Sequence, residues 1–126
     1  MMSWTDKRVM VADDSQTMRM LLFFYLFKML PGIKIIEAVN GADALEKLRQ
    51  QPVDLILTDM NMPQMDGAGL IAAVRQELQS STPIIIITTR GEQRDRERGM
   101  AVGANGYITK PLDVLQFRET IRKYLL

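Results

Sequence analysis

The run Ile84-Ile85-Ile86-Ile87-Thr88-Thr89 (IIIITT, residues 84–89) decides the architecture. Its residues are β-branched, and the apolar ones occupy consecutive rather than alternate positions. A strand of that kind has both faces covered, as in a parallel sheet between two layers of helices. Working outward, Val9–Ala12, Ile33–Val39 and Leu55–Leu57 read as further strands, and Tyr107–Ile108 as a weaker fifth. Helical patterns lie between them. Met18, Leu21, Leu22, Tyr25, Leu26 and Met29 recur at the spacing of one helix face. Ala42–Leu48, Leu70–Leu78, Gln93–Val102 and Val114–Leu125 are the other helices. Pro31-Gly32, Asn40-Gly41, Gln51-Pro52, Pro83 and Gly103 punctuate the series. Strict alternation of five strands with five helices predicts an α/β, doubly wound parallel sheet, because right-handed crossovers place helices on both faces.

Composition narrows the function. The chain has 126 residues, which suits one domain over residues 1–126. Sixteen basic and fifteen acidic side chains give a net charge of +1, which argues against direct binding of nucleic acid through bulk positive charge. Cysteine and histidine are both absent. Disulfides, Cys/His zinc sites and a Ser-His-Asp triad are therefore excluded, and a metal would be a hard ion held by oxygen. The N-terminus lacks a signal-peptide core, and the apolar stretch around Met20–Leu30, interrupted by Lys28, is too short to span a bilayer. The expectation is a soluble cytoplasmic protein with no membrane partner. With nothing following Leu126, it reads as a stand-alone domain.

Ligands of open α/β sheets bind beyond the carboxyl ends of the strands. Strand one is followed by Asp13 and Asp14, strand three by Asp59, strand four by Thr88 and Thr89, and strand five by Lys110 and Pro111. Strand two is followed by Asn40-Gly41, read as a plain turn. No phosphate-cradling glycine loop follows strand one. Carboxylates gathered at one sheet edge repel one another unless a cation intervenes. Mg2+ and Lys110 both meet that need. Carboxylates, a hard metal, a lysine and a hydroxyl suit phosphoryl transfer, with an Asp as nucleophile. Taken singly, Asp13-Asp14 would serve as helix caps, Asp59 as a solvated loop residue and Asp66-Gly67 as a turn. Those readings leave the gathering of charges at one edge unexplained.

The strings VADDSQTMR (11–19), LILTDMNMPQMDG (55–67), IIIITT (84–89) and YITKP (107–111) resemble those of response-regulator receiver domains of two-component signalling, of the CheY-like type. The resemblance covers essentially the whole chain, with the motifs in order at matching spacings. It implies a flavodoxin-like sheet of order 2-1-3-4-5. By the same resemblance Asp59 is the phosphoacceptor. Asp13, Asp14, Asp59 and the main-chain carbonyl of Asn61 hold Mg2+, Asp14 directly and Asp13 largely through water. Thr88 is the switch hydroxyl, Lys110 the phosphate-binding lysine and Lys110-Pro111 a cis peptide. Tyr107 is the aromatic whose rotamer follows Thr88, and the N–H groups of Met60 and Thr89 face phosphoryl oxygens. The implied partners are a histidine kinase or histidine phosphotransfer domain and a downstream protein effector. Such a chain catalyses only its own phosphorylation and dephosphorylation and is not an enzyme for a metabolite.

Two positions depart from the pattern. Thr89 stands where the family usually has a smaller residue, and its bulk narrows access to Asp59. Arg90 sits two places after Thr88. With Asn61, two places after Asp59, it is placed to tune attack of water on the acyl phosphate. Two competing readings stand beside this one. A Mg2+-dependent phosphatase with an Asp nucleophile typically needs an acidic residue where Asn61 stands. A degenerate receiver serving only as an interaction module would fail to bind Mg2+.

The first helix carries a second apolar stripe. Met20, Phe23, Phe24 and Phe27 lie about half a turn from the core stripe at 100° per residue. Exposed apolar clusters mark interaction surfaces, so this face is expected to dock a partner helix or to form a homodimer through helix one. Cover from the fifth helix or from Trp4 is the alternative.

Overall fold

The computed structural model describes residues 4–89 and 91–126. Arg90 lies outside the described residues, so its reading as a residue tuning the site mouth has no structural counterpart here. Among the described residues the chain runs β1 (Arg8–Ala12), α1 (Gln16–Met29), β2 (Lys34–Ala38), α2 (Gly41–Gln50), β3 (Leu55–Asp59), α3 (Gly67–Gln76), β4 (Ile84–Thr89), α4 (Gln93–Val102), β5 (Gly106–Lys110) and α5 (Val114–Leu125). The strands form one parallel sheet in the order β2-β1-β3-β4-β5, with the alternation and sheet order expected of a doubly wound fold.

The consecutive apolar runs are explained by the two cores they serve. Val9, Val11, Leu55, Leu57, Ile85, Ile87 and Ile108 face α1 and α5, where Leu22, Leu26, Phe117, Ile121 and Leu125 cover them. Met10, Ala12, Ile56, Ile84 and Ile86 face the other way, onto Leu45, Leu48, Leu70, Ile71 and Val74 of α2 and α3. Neighbouring residues on a strand point to opposite faces, so the inner strands β1, β3 and β4 are apolar at consecutive positions, while the edge strand β2 keeps exposed Lys34 and Glu37.

Several boundaries differ from the sequence reading, and each difference has a local cause. Asn40-Gly41 is not a plain turn. Asn40 caps α2, its Oδ1 accepting the Asp43 N–H at 2.7 Å while Asp43 Oδ2 accepts the Val39 N–H at 3.0 Å. Two otherwise orphaned donors are met by this reciprocal arrangement. Helix α3 starts at Gly67 rather than Leu70, because Asp66 caps it by accepting the Gly69 N–H at 2.8 Å. On α1 only Leu22 and Leu26 are buried; Met18, Tyr25 and Met29 are partly buried against the same core. Leu21, placed in the core stripe by its spacing, is exposed. It lies about 100° around the helix from Leu22, beyond the arc that meets the sheet. Among the described residues no helix is long and apolar enough to cross a membrane.

Gly67 carries a constraint that its turn-like context concealed. A Cβ there would strike the carbonyl oxygen of Asp59 and lie 2.8 Å from Met60 Cα, both main-chain atoms. The start of α3 therefore sits directly against the end of β3. Gly67→Ala is expected to cost about 2 kcal/mol by overpacking, read as a lower midpoint in urea at unchanged slope.

Candidate functional site

Register brings the polar residues together. Ala12 is level with Thr58 across the β1–β3 pair, so Asp13 stands beside Asp59. Asp59 pairs with Ile87 on β4, and Lys110 pairs with Thr89 from the far side of β4. Asp13, Asp59, Thr88 and Lys110, distant in sequence, thus meet at the carboxyl edge of the sheet. Carboxylate oxygens of Asp13, Asp14 and Asp59 lie within 4.8 Å of one another. Lys110 Nζ is 3.7 Å from Asp13 Oδ2 and 3.7 Å from Asp59 Oδ1, close enough for ion pairing but longer than a hydrogen bond. The Lys110-Pro111 peptide is cis.

The groups differ in exposure, and that separates their roles. Asp13 is buried, its Oδ1 accepting the Ser15 N–H at 2.9 Å, while its buried Oδ2 has no hydrogen-bond donor. Arg19 ties the same segment down by donating to the Asp13 carbonyl at 2.7 Å. Asp14 is exposed, and the helix cap that Asp13-Asp14 offered is supplied instead by Ser15, which accepts the Met18 N–H. Asp59 is partly buried, with its Oδ1 accepting the Met60 N–H at 2.8 Å. Thr88 is buried at the end of β4, and its Oγ1 has no hydrogen-bond partner. An unmet buried hydroxyl costs about 1–3 kcal/mol, so an acceptor arriving beside it would be held well.

Burial raises the Asp59 carboxyl above its ordinary value of 3.8, against the pull of Lys110 and with the push of Asp13. Burial likewise raises Asp13, opposed by the Ser15 N–H and Lys110 and assisted by Asp14. Both shifts express chiefly the cost of holding a carboxylate away from water, which the nearby Lys110 offsets only in part. Three carboxylates with oxygens at this spacing, one of them Asp13 with its buried, unpartnered Oδ2, form a donor set suited to a hard divalent cation.

The remaining expected residues sit around this corner. Tyr107 points outward and is exposed, with the Arg96 guanidinium 4.8 Å from its ring centre. Thr89 is exposed at the mouth. Asn61 is exposed, and its side-chain amide donates to Asp95 Oδ2 of α4 at 2.9 Å. Asp95 escaped the sequence reading because it lies in the charged run QRDRERG, which looks like a solvated helix face. The apolar stripe on α1 is uncovered: Met20 is 63% exposed and Phe23, Phe24 and Phe27 about half, so neither α5 nor Trp4 hides it. Phe23 and Phe27 stack on each other at 6.1 Å, while Trp4 donates to the Pro31 carbonyl at the far end of the helix.

Known proteins resemble this chain in sequence and fold. Residues 9–122 match the response regulator receiver domain. The sensor protein EvgS of Escherichia coli is 41% identical over 110 residues, 86% of this chain and 9% of that protein. The transcriptional regulatory protein ResD of Bacillus subtilis is 34% identical over 122 residues, 94% of this chain and 49% of that protein. The chain spans about half the length or less of these curated relatives. In structure, the Vibrio cholerae chemotaxis protein CheY4 superposes with a TM-score of 0.83 at 32% identity, covering 94% of this chain and 98% of that one. Sheet order, the acidic corner and the match over residues 9–122 lead to one assignment: the chain belongs to the response regulator receiver domain family.

Proposed function

We propose that this receiver domain is a phosphorylatable signalling switch of a two-component phosphorelay, working in the cytoplasm, with Asp59 as phosphoacceptor. The convergence of Asp13, Asp14, Asp59, Lys110 and the unpartnered Thr88 hydroxyl on one sheet edge carries the reading. An Asp59 carboxylate oxygen attacks the phosphorus of a partner's phosphohistidine. The P–N bond breaks and its electron pair returns to the imidazole. In the other half of the cycle, water attacks the phosphorus, the P–O bond to Asp59 breaks with its electron pair returning to the carboxylate, and inorganic phosphate leaves with both protons of the water. Asp13, Asp14, Asp59 and the Asn61 main-chain carbonyl would hold Mg2+, which supplies charge neutralisation at the phosphoryl oxygens when bound. Lys110 supplies the fixed positive charge, and Thr88 donates its hydroxyl to a phosphoryl oxygen.

A phosphoryl group adds about −1.5 to −2 charge beside Lys110 and Thr88, enough to shift a two-state equilibrium in this corner. Thr88 moves inward on its new acceptor. Tyr107 exchanges its outward position over Arg96 for the space vacated, and the effector reads the change. The chain promotes only its own phosphorylation and dephosphorylation. The test is incubation with Mg2+ and acetyl phosphate followed by intact mass. A gain of one phosphoryl group is expected, and no gain sinks the switch reading.

The α1 ridge is the docking surface for the phosphodonor's helices or a second copy of the chain. The N-terminal end of α1, which follows Asp14 and Ser15, borders the phosphorylation site, as transfer requires. Phe23→Ser, Phe24→Ser and Phe27→Ser together are expected to slow transfer from a partner or to abolish self-association. The melting transition should move little, since these side chains are half exposed. Unchanged transfer and unchanged solution mass would remove the ridge from the account.

A further inference from the structure

Helix α4 has a slight hold on the domain core: Gly99 is its one buried residue among those described, and Glu92 at its N-cap makes no side-chain cap bond. Polar ties hold it instead, and two of them grip the loop that follows Asp59. Asp95 accepts the Asn61 side-chain N–H at 2.9 Å. Arg98 bridges the other end of that loop, 2.9 Å from Asp66 Oδ2 and 3.4 Å from Asp95 Oδ1. The Asp95 side chain is only 13% exposed, whereas Arg98 is 50% exposed. One turn of α4 therefore clamps both ends of the loop from Asn61 to Asp66.

We propose that Asp95 is a positioning residue for the chemistry at Asp59: its carboxylate holds the Asn61 carboxamide against α4, clear of the approach to the phosphoacceptor. The proposal rests on Asp59 being that acceptor. Asn61 stands two residues beyond Asp59 on the exposed rim, so a freed side chain would swing across the approach. In phosphoryl transfer the attacking and leaving oxygens lie roughly in line through phosphorus. Donor and attacking water both need space on the outer side of Asp59. A carboxamide across it slows gain and loss of the phosphoryl group together. Removing the negative charge of Asp95 would act differently, by speeding uptake from an anionic donor.

The test uses the full chain with Mg2+ and acetyl phosphate, following phosphoryl gain by intact mass and phosphoryl loss after donor removal. Asp95→Ala is expected to slow both steps about fivefold, the factor equivalent to one lost hydrogen bond. Asp95→Asn keeps an oxygen acceptor for Asn61 and should stay within about twofold of the parent. In an Asn61→Ala background the effect of Asp95→Ala should vanish, the double variant matching Asn61→Ala alone in both rates, because no carboxamide remains for Asp95 to position. Arg98→Ala breaks the other arm of the clamp and should leave both rates within about twofold. Unchanged rates or faster uptake in Asp95→Ala overturn the proposal. So does a further slowing of about fivefold when Asp95→Ala is added to Asn61→Ala, or slowing of equal size in Arg98→Ala. An unmodified chain that gains no phosphoryl group overturns the Asp59 reading and this one with it, whereas normal gain with an Asp95→Ala effect that persists in the Asn61→Ala background overturns this one alone.

Discussion

Asp59→Asn should abolish the one-phosphoryl gain in mass that acetyl phosphate and Mg2+ produce in the parent chain. An amide oxygen is a far poorer nucleophile than a carboxylate, and the acyl phosphate it would need to form has no stable counterpart. The variant should still fold. Asp59 ends β3 with its carboxyl raised by burial, so removing its charge removes chiefly a desolvation cost, and with it the push from Asp13. Folding stability without metal is expected to rise, not fall. Asp13→Asn separates the roles further. It should weaken metal binding and slow the reaction while leaving the modified residue the same, which peptide mapping would check. Phosphate found on another residue in the parent, or a gain that survives Asp59→Asn, would contradict the assignment.

Mg2+ should stabilise the domain most at neutral pH and progressively less toward pH 4. Burial holds Asp13 and Asp59 above 3.8, so the folded chain binds protons more tightly there than the unfolded chain does. Between 3.8 and the raised folded values, protonation favours folding. As pH rises through the folded values the metal-free domain loses that contribution, and both carboxylates then stand charged beside Asp14 with Lys110 as their near cation. A divalent cation relieves this strain, and protons compete with it. At a free concentration 100 times its dissociation constant, a ligand specific to the folded state adds about 2.7 kcal/mol. Thermal melts with Mg2+ and with chelator, at pH 7 and pH 4.5, measure the difference. An increment as large at pH 4.5 as at pH 7, or none at pH 7, would rule out the acidic corner as the metal site. That second outcome is also what an interaction-only receiver would give.

The same physics explains which parts of the protein were legible from residue order. Strand residues that alternate between two helical layers must be apolar at consecutive positions, and Ile84–Ile87 shows this without any coordinates. The polar residues that end these strands stand out for the same reason: a parallel sheet gathers its carboxyl ends along one edge, so Asp13, Asp59, Thr88 and Lys110 could be grouped in advance. Helix boundaries were less visible, because Asn40 and Asp66 serve equally as turn residues or as caps. Their side chains commit only when a free N–H lies within reach.

Contacts between elements far apart in the chain had no such signature. The charge run of α4 looks the same whether Asp95 faces water or grips Asn61 across 34 positions, since a carboxylate suits both. Gly67 lies against the main chain of Asp59 only because α3 begins where β3 ends. The phenylalanines of α1 were visible as a second stripe, but their exposure depended on how α5 and the Trp4 segment pack around the helix. Periodicity and strand endings belong to the order of residues, because they follow from local backbone geometry. The partner of a long polar side chain, and the covering of an apolar face, belong to the packing of whole elements, whose separations no local rule contains.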